Sequence, residues 1–207
     1  MLVTLAPERP GALRLIEHLV AAGIRVALGH TAATAPQIAD AITAGATLAT
    51  HLGNGCPQVL PRHPNVIWDL LAADALAASV IADGHHLPPA TVKSLIRAKG
   101  VRRTILVTDA IAAAASSPGR YSVAGVACDL DDDGRVSLPG TPYLAGSSLT
   151  MDRAIGNAVR FTGLPLDDVV PMASTIPAAY LGMTTAGAVT ADCDAAASVL
   201  RICEVNT

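Results

Sequence analysis

The chain has 207 residues, of which 51% are apolar, 15% charged and 2% aromatic, and it carries a formal net charge of −3. That length accommodates a sizeable core without a disulfide or metal staple, and so apolar a composition excludes disorder through the bulk of the chain. With no basic surplus, nucleic acid is not expected as the main partner. Every apolar stretch is interrupted by charge, His, Gly or Pro, short of the roughly 18–20 clean residues of a membrane-crossing helix. The opening MLVTLAPERPG lacks the basic and apolar regions of a signal peptide. Cys56, Cys128, Cys193 and Cys203 show no CxxC pair or framework spacing, so reduced, buried thiols in a cytoplasmic protein are expected.

Short β-rich runs alternate with helical ones. Leu2–Ala6 reads as a strand and Pro10–Ala22 as an amphipathic helix, with Leu13, Ile16, Leu19 and Val20 at helical spacing and Gly23 at its stop. Ile24–Leu28 is a second strand, Pro36–Ala44 a helix closed by Gly45, and Ala46–Thr50 a short third strand. The segment HLGNGCPQVLPRHP is dense in Gly and Pro and reads as a loop. Asn65–Ala73 is helical, Ala77–Ala82 a fourth strand, Pro88–Ala98 a helix with Pro in its first turn, and Thr104–Thr108 a fifth strand. This rhythm predicts an α/β fold with a parallel sheet covered by helices. Beyond it, Tyr121–Leu138 predicts a β-hairpin with DLDDDG at its turn. Ser148–Phe161, Leu166–Ala173 and Pro177–Leu181 predict helices, and Ala188–Ile202 one or two strands.

The polar residues that packing explains least follow the five strands: Glu8, His30, His51, the group Asp83, His85 and His86, and Asp109. Glu8 to His30 is 22 residues, His30 to His51 is 21, and His86 to Asp109 is 23. In parallel α/β folds equivalent strand ends share one face, which carries the site. Imidazoles and carboxylates are the usual ligands of a catalytic zinc or iron, and a carboxylate nearby can shuttle a proton from water to a leaving amine. Glu8 has an alternative structural role, capping or pairing with Arg9 or Arg14. DLDDDG departs from a calcium loop because its twelfth position is Gly140, so it reads as a solvated turn. His18 and His63 read as surface residues. Ser147 and Ser148 lie outside a nucleophile elbow.

Taken in order, TLAPE, GHTAA, THLGN, IADGHH, LVTDA, LAGSSLTM and ASTIPAAYLG resemble the motifs of the N-acetylglucosamine-6-phosphate deacetylases of the amidohydrolase superfamily. The resemblance runs from residue 2 to about residue 190 and is to the C-terminal part of that family only. It implies a partial (β/α)8 barrel comprising strands four to eight over residues 1–185, with a remnant of a small β-sandwich in a truncated C-terminal β segment, 186–207. It implies that His30 and His51 hold a divalent metal, zinc or iron. It implies that Asp109 takes the proton of the attacking water and delivers it to the departing amine. His86 resembles the histidine that contacts the sugar, Asn54 and Gly55 the contact to the substrate phosphate, and Arg62 the arginine that clamps that phosphate. Leu144, Ala145 and Gly146 resemble the loop closing over the sugar. The implied reaction converts N-acetylglucosamine 6-phosphate, or a close amino-sugar phosphate, to the free amine and acetate in a homodimer.

The sequence also departs from the family. Its loop reads HLGNGC, with Gly53 where the family carries an aromatic residue and Gly55 where it carries Ala, which predicts a looser pocket floor. The family's metal-ligating Glu, in an EGP-like motif, and its carbonyl-polarising His have no counterpart here, and Glu8 lies in a different motif. A barrel of this class needs about 250 residues. The alternatives are therefore a catalytically incomplete half-barrel, or an α/β module that binds sugar phosphate without turnover.

Overall fold

A computed structural model of the chain describes residues 1–194 and 199–206. Strands β1 (Leu2–Leu5), β2 (Arg25–Leu28), β3 (Leu48–Ala49), β4 (Ala77–Ile81) and β5 (Thr104–Val107) form one sheet in the order β1-β2-β3-β4-β5. Helices α1 (Ala12–Ala21), α2 (Ala35–Thr43), α3 (Val66–Ala72) and α4 (Pro89–Lys99) connect them. The pairs β1–β2, β2–β3 and β3–β4 are parallel. Sequential strands lying side by side, each reached through a helix, are the arrangement of part of a (β/α) barrel. The expected α/β class with a parallel sheet is therefore the observed one.

Local chemistry explains the boundaries. Thr34 and Gln37 form a reciprocal capping box at the start of α2, and the Asn65 side chain accepts hydrogen bonds from the Ile67 and Trp68 amides at the start of α3. The interior of β2 is fully buried, as an apolar strand of a helix-covered sheet should be.

Residue contacts divide the chain into two units, one of Met1–Val80, Lys93–Ile105 and Ser174–Thr185, the other of Ile81–Val92, Leu106–Ala173 and Ala186–Thr207. The core of the first is built from Ile16, Val26, Leu28, Ile38, Leu48, Leu52, Leu70, Leu76, Val80 and Ile96. It also encloses Lys99, whose Nζ donates to the carbonyl oxygens of Leu70, Leu71 and Ala73 at 3.0, 3.3 and 2.7 Å. These carbonyls belong to the last turn of α3 and its exit, where helix geometry leaves acceptors without intrahelical donors. Burial, aided by the Arg103 charge and opposed by that of Asp74, lowers the Lys99 pKa to about 8. Tyr180 Oη lies 2.8 Å from Thr47 Oγ1 and joins α7 (Thr175–Leu181) to the same unit.

The second unit contains β6 (Gly119–Val123), β7 (Val126–Leu130), β8 (Val136–Ser137), α5 (Met151–Thr162), α6 (Leu166–Ala173), β9 (Ala188–Asp194) and β10 (Val199–Asn206). The predicted single hairpin is a three-stranded antiparallel meander, β6-β7-β8. DLDDDG makes only its second turn. The first is the two-residue turn Ala124–Gly125, which carries positive φ at both positions and lacks the Asn or Asp that usually advertises such a turn. Cys128, Leu130, Val136 and Ala113 form the core beneath the meander, while Ile81, Leu149 and Ala154 form another cluster. Strands β9 and β10 pair antiparallel with an irregularity between Ile202 and Glu204. Of the predicted C-terminal segment 186–207, residues 195–198 and 207 lie outside the described residues.

One expectation about the thiols is corrected. Cys128 is buried and Cys56 half-buried, but Cys193 and Cys203 are exposed, because they lie on the antiparallel pair β9–β10, whose strand β9 is exposed along nearly its whole length. Among the described residues, no helix is long and apolar enough to cross a membrane.

Candidate functional site

In the first unit, the register of β2 and β3 pairs Ala27 with Leu48 and Leu28 with Ala49. His30 and His51 each lie two residues past these last partners, so parallel pairing brings them level. Their Nε2 atoms are 3.0 Å apart, with the ring planes at 78°. Both residues have positive φ, 51° and 33°, which is uncommon outside glycine. Neighbouring groups hold them there. The His51 amide donates to Ser79 Oγ at 2.7 Å. Beside His30, Glu8 accepts from the Thr31 hydroxyl at 2.5 Å and from the Ala32 amide at 2.9 Å. Burial raises the Glu8 pKa, but these hydrogen bonds and the Arg9 charge outweigh it and hold the carboxyl below its ordinary value. Glu8 therefore braces the loop that carries His30.

The loop after His51 folds back onto the histidine pair. A methyl group at Gly55 (φ 65°) would lie 3.0 Å from both His30 Nδ1 and His51 Cε1. The expected looser floor is corrected on this point: the space vacated by Ala is filled by the two rings. Asn54 donates its backbone amide to the His51 carbonyl at 2.9 Å, and its side-chain Nδ2 is buried with no hydrogen-bond partner among the described residues. Arg62 is exposed in the loop before α3 and meets the neighbouring structure through its carbonyl, which accepts from Asn65 Nδ2.

In the second unit, Asp83 organises the end of β4. Its Oδ1 accepts from the amides of His85 and His86, each at 2.9 Å, and its Oδ2 lies 2.6 Å from His86 Nδ1. Burial raises the Asp83 pKa, yet the hydrogen bonds from the His86 ring and from the His86 and His85 amides prevail and hold it below the usual carboxylate range. Asp109 is exposed just past β5, with φ 52°. Its carbonyl accepts from the Ser147 amide at 3.0 Å, while the Ser147 hydroxyl donates to the Thr108 carbonyl. Thus LAGSS lies along the end of β5. Gly146 (φ 81°) packs so closely there that a side chain would collide with Ile111 Cγ2. Leu144 and Ala145 are half-buried beside it, Ala145 against the meander core.

The structure thus groups His30, His51, Asn54 and Gly55 in one unit, and Asp109 with Gly146 in the other, where His86 is paired with Asp83. Residue reading alone missed the supporting roles of Thr31, Ser79 and Ser147, whose partners are distant in sequence. The Asp83–His86 pairing carried a visible signal, a carboxylate and an imidazole three positions apart at a strand end.

The histidine pair fits part of a metal site. Two imidazole nitrogens on one tetrahedral zinc at about 2.0–2.1 Å stand roughly 3.3 Å apart, close to the observed 3.0 Å. Among the described residues, no group of three or more His, Cys, Asp or Glu converges on a common metal position.

Parallel strands in sequential order, with His, His and Asp in left-handed conformations just past three of them, define a β/α chain of barrel type with its polar chemistry at strand ends. No family model matches the chain. It is 35% identical over 198 residues to an N-acetylglucosamine-6-phosphate deacetylase of Lysinibacillus sphaericus, covering 96% of this chain and 51% of that protein. It is 39% identical over 181 residues to an N-acetylgalactosamine-6-phosphate deacetylase of Escherichia coli O157:H7, covering 87% and 47%. Its fold is similar, with a TM-score of 0.88 at 35% identity, to a mutant N-acetyl-D-glucosamine-6-phosphate deacetylase of Mycobacterium smegmatis solved with N-acetyl-D-glucosamine-6-phosphate, covering 99% of this chain and 55% of that one. The expectation of a resemblance confined to a C-terminal part and ending near residue 190 is corrected, because the similarity extends through nearly the whole chain. The chain spans about half the length of the relatives it matches.

Proposed function

We propose that this chain carries the machinery of a metal-assisted deacetylase acting on N-acetylglucosamine 6-phosphate or a closely related amino-sugar phosphate, with glucosamine 6-phosphate and acetate as products. The observation that carries the reading is the convergence of His30 and His51 Nε2 at 3.0 Å just past adjacent parallel strands. In this reading His30 and His51 hold a divalent metal, zinc or iron, which when bound supplies Lewis acidity toward the amide carbonyl. Asp109, an exposed carboxylate just past β5, takes a proton from the attacking water and passes it to the leaving amine. The Nδ2 of Asn54, which has no hydrogen-bond partner among the described residues, donates to a phosphate oxygen beside the Gly55 amide, and Arg62 supplies a planar, charged fork to the same group. His86 contacts the sugar, and the Leu144–Gly146 loop covers it. The five parallel strands are read as the fourth to eighth of a (β/α)8 barrel and β9–β10 as part of a β-sandwich, a reading supported by the fold similarity to the mycobacterial enzyme. A cytoplasmic homodimer is the corresponding assembly.

The lack of a third converging ligand among the described residues favours a second reading, sugar-phosphate binding without turnover. Zinc titration followed by acetate assay on the purified chain separates the two. The deacetylase reading expects zinc binding that His30→Ala and His51→Ala abolish, and an acetate release that Asp109→Asn lowers about 10²–10⁴-fold. Binding of the sugar phosphate with no acetate release selects the second reading.

A further inference from the structure

We propose that Asp83 is a positioning residue that fixes the tautomer of His86, so that His86 Nε2 serves as a hydrogen-bond acceptor for a sugar hydroxyl. A neutral imidazole carries one ring proton, and the hydrogen bond made by one nitrogen decides the state of the other. Asp83 Oδ2 lies 2.6 Å from His86 Nδ1. As a carboxylate it only accepts, so the proton resides on Nδ1. The carboxylate is also held against rotation, because its other oxygen accepts both the His85 and His86 amides at 2.9 Å. The two side chains are only 9% and 6% exposed, which limits competition from water for this contact. Nε2 is left with its lone pair. A lone pair pairs with a hydroxyl or an N–H and repels an ionised phosphate or carboxylate, so this position reads the hydroxyl-bearing part of the ligand. The neighbouring His85 is engaged separately, its Nε2 3.2 Å from the Asp133 carbonyl, and does not compete for Asp83 with its ring.

The inference rests on the reading that His86 faces the sugar, and its test separates the two. Long-range ¹⁵N–¹H spectra of the His86 ring, recorded without ligand at mildly alkaline pH, should show the Nδ1-protonated tautomer. In Asp83→Asn the amide oxygen can keep the two backbone hydrogen bonds while the amide nitrogen donates to Nδ1, so the ring proton should move to Nε2. Calorimetric affinity for N-acetylglucosamine 6-phosphate should then fall about tenfold, the loss of one buried hydrogen bond, with affinity for inorganic phosphate unchanged. An Nε2-protonated wild-type ring, or a tautomer that Asp83→Asn leaves in place, overturns the proposal, and the wild-type spectrum decides even if the variant does not fold. A tautomer that shifts without loss of affinity overturns the acceptor role. Failure of the wild-type chain to bind the sugar phosphate overturns the deacetylase and binding readings, while the ligand-free spectrum still judges Asp83.

Discussion

Three chemically reactive residues, His30, His51 and Asp109, occupy a backbone region that costs a non-glycine residue roughly 1–2 kcal/mol. Each is tied down by hydrogen bonds in its immediate neighbourhood. The His51 amide is held by Ser79, the segment after His30 by Glu8, and the Asp109 carbonyl by Ser147. Gly55 belongs to the same design, because its missing side chain lets the loop lie against both imidazoles. Gly55→Ala is expected to destabilise the chain by about 1 kcal/mol through its left-handed backbone. It should also change zinc affinity, because a ring must give by a few tenths of an ångström to admit the methyl group. Denaturant unfolding and zinc titration check the two effects. Zinc affinity unchanged in a folded variant would show that the close approach has no part in metal binding.

At the scale of elements, register does the positioning. Pairing Leu28 with Ala49 gives β2 and β3 a common end, and the equal offset of His30 and His51 from that end brings their rings together. The 21-residue spacing in the sequence carries the same information. Element packing also accounts for Lys99, whose place in a helix pattern with basic residues in its last turn gave no hint of burial. Its ammonium satisfies carbonyls at the end of a different helix, α3. Lys99→Met keeps the aliphatic stem and removes the donors, leaving up to three carbonyls to find water. It is expected to cost about 2 kcal/mol, with amide exchange accelerated most in α3. Equal exchange in variant and wild type would rule out the capping role.

At the scale of the whole molecule, metal binding and stability are linked. A ligand that binds only the folded chain stabilises it by mass action, about 2.7 kcal/mol at a hundredfold excess over Kd. Zinc at that excess should raise the Tm of the wild-type chain and leave that of His30→Ala unchanged. An equal zinc effect on both would assign the binding elsewhere. The chain spans about half the length of its relatives, so this linkage tests directly whether the described histidines suffice to capture a metal.

The sequence by itself determined the α/β alternation, the approximate place of the helices and parallel strands, and the polar residues just past those strands. These follow from local signals: apolar periodicity, Gly and Pro punctuation, and residue types that packing does not explain. Only the tertiary structure decided the meander with its unadvertised Ala124–Gly125 turn, the exposure of Cys193 and Cys203, the burial of Lys99, the brace from Glu8 to Thr31, and the closeness of Gly55 to two rings. Each of these depends on which backbone passes beside which, a property of strand register and helix packing that no short window of sequence contains.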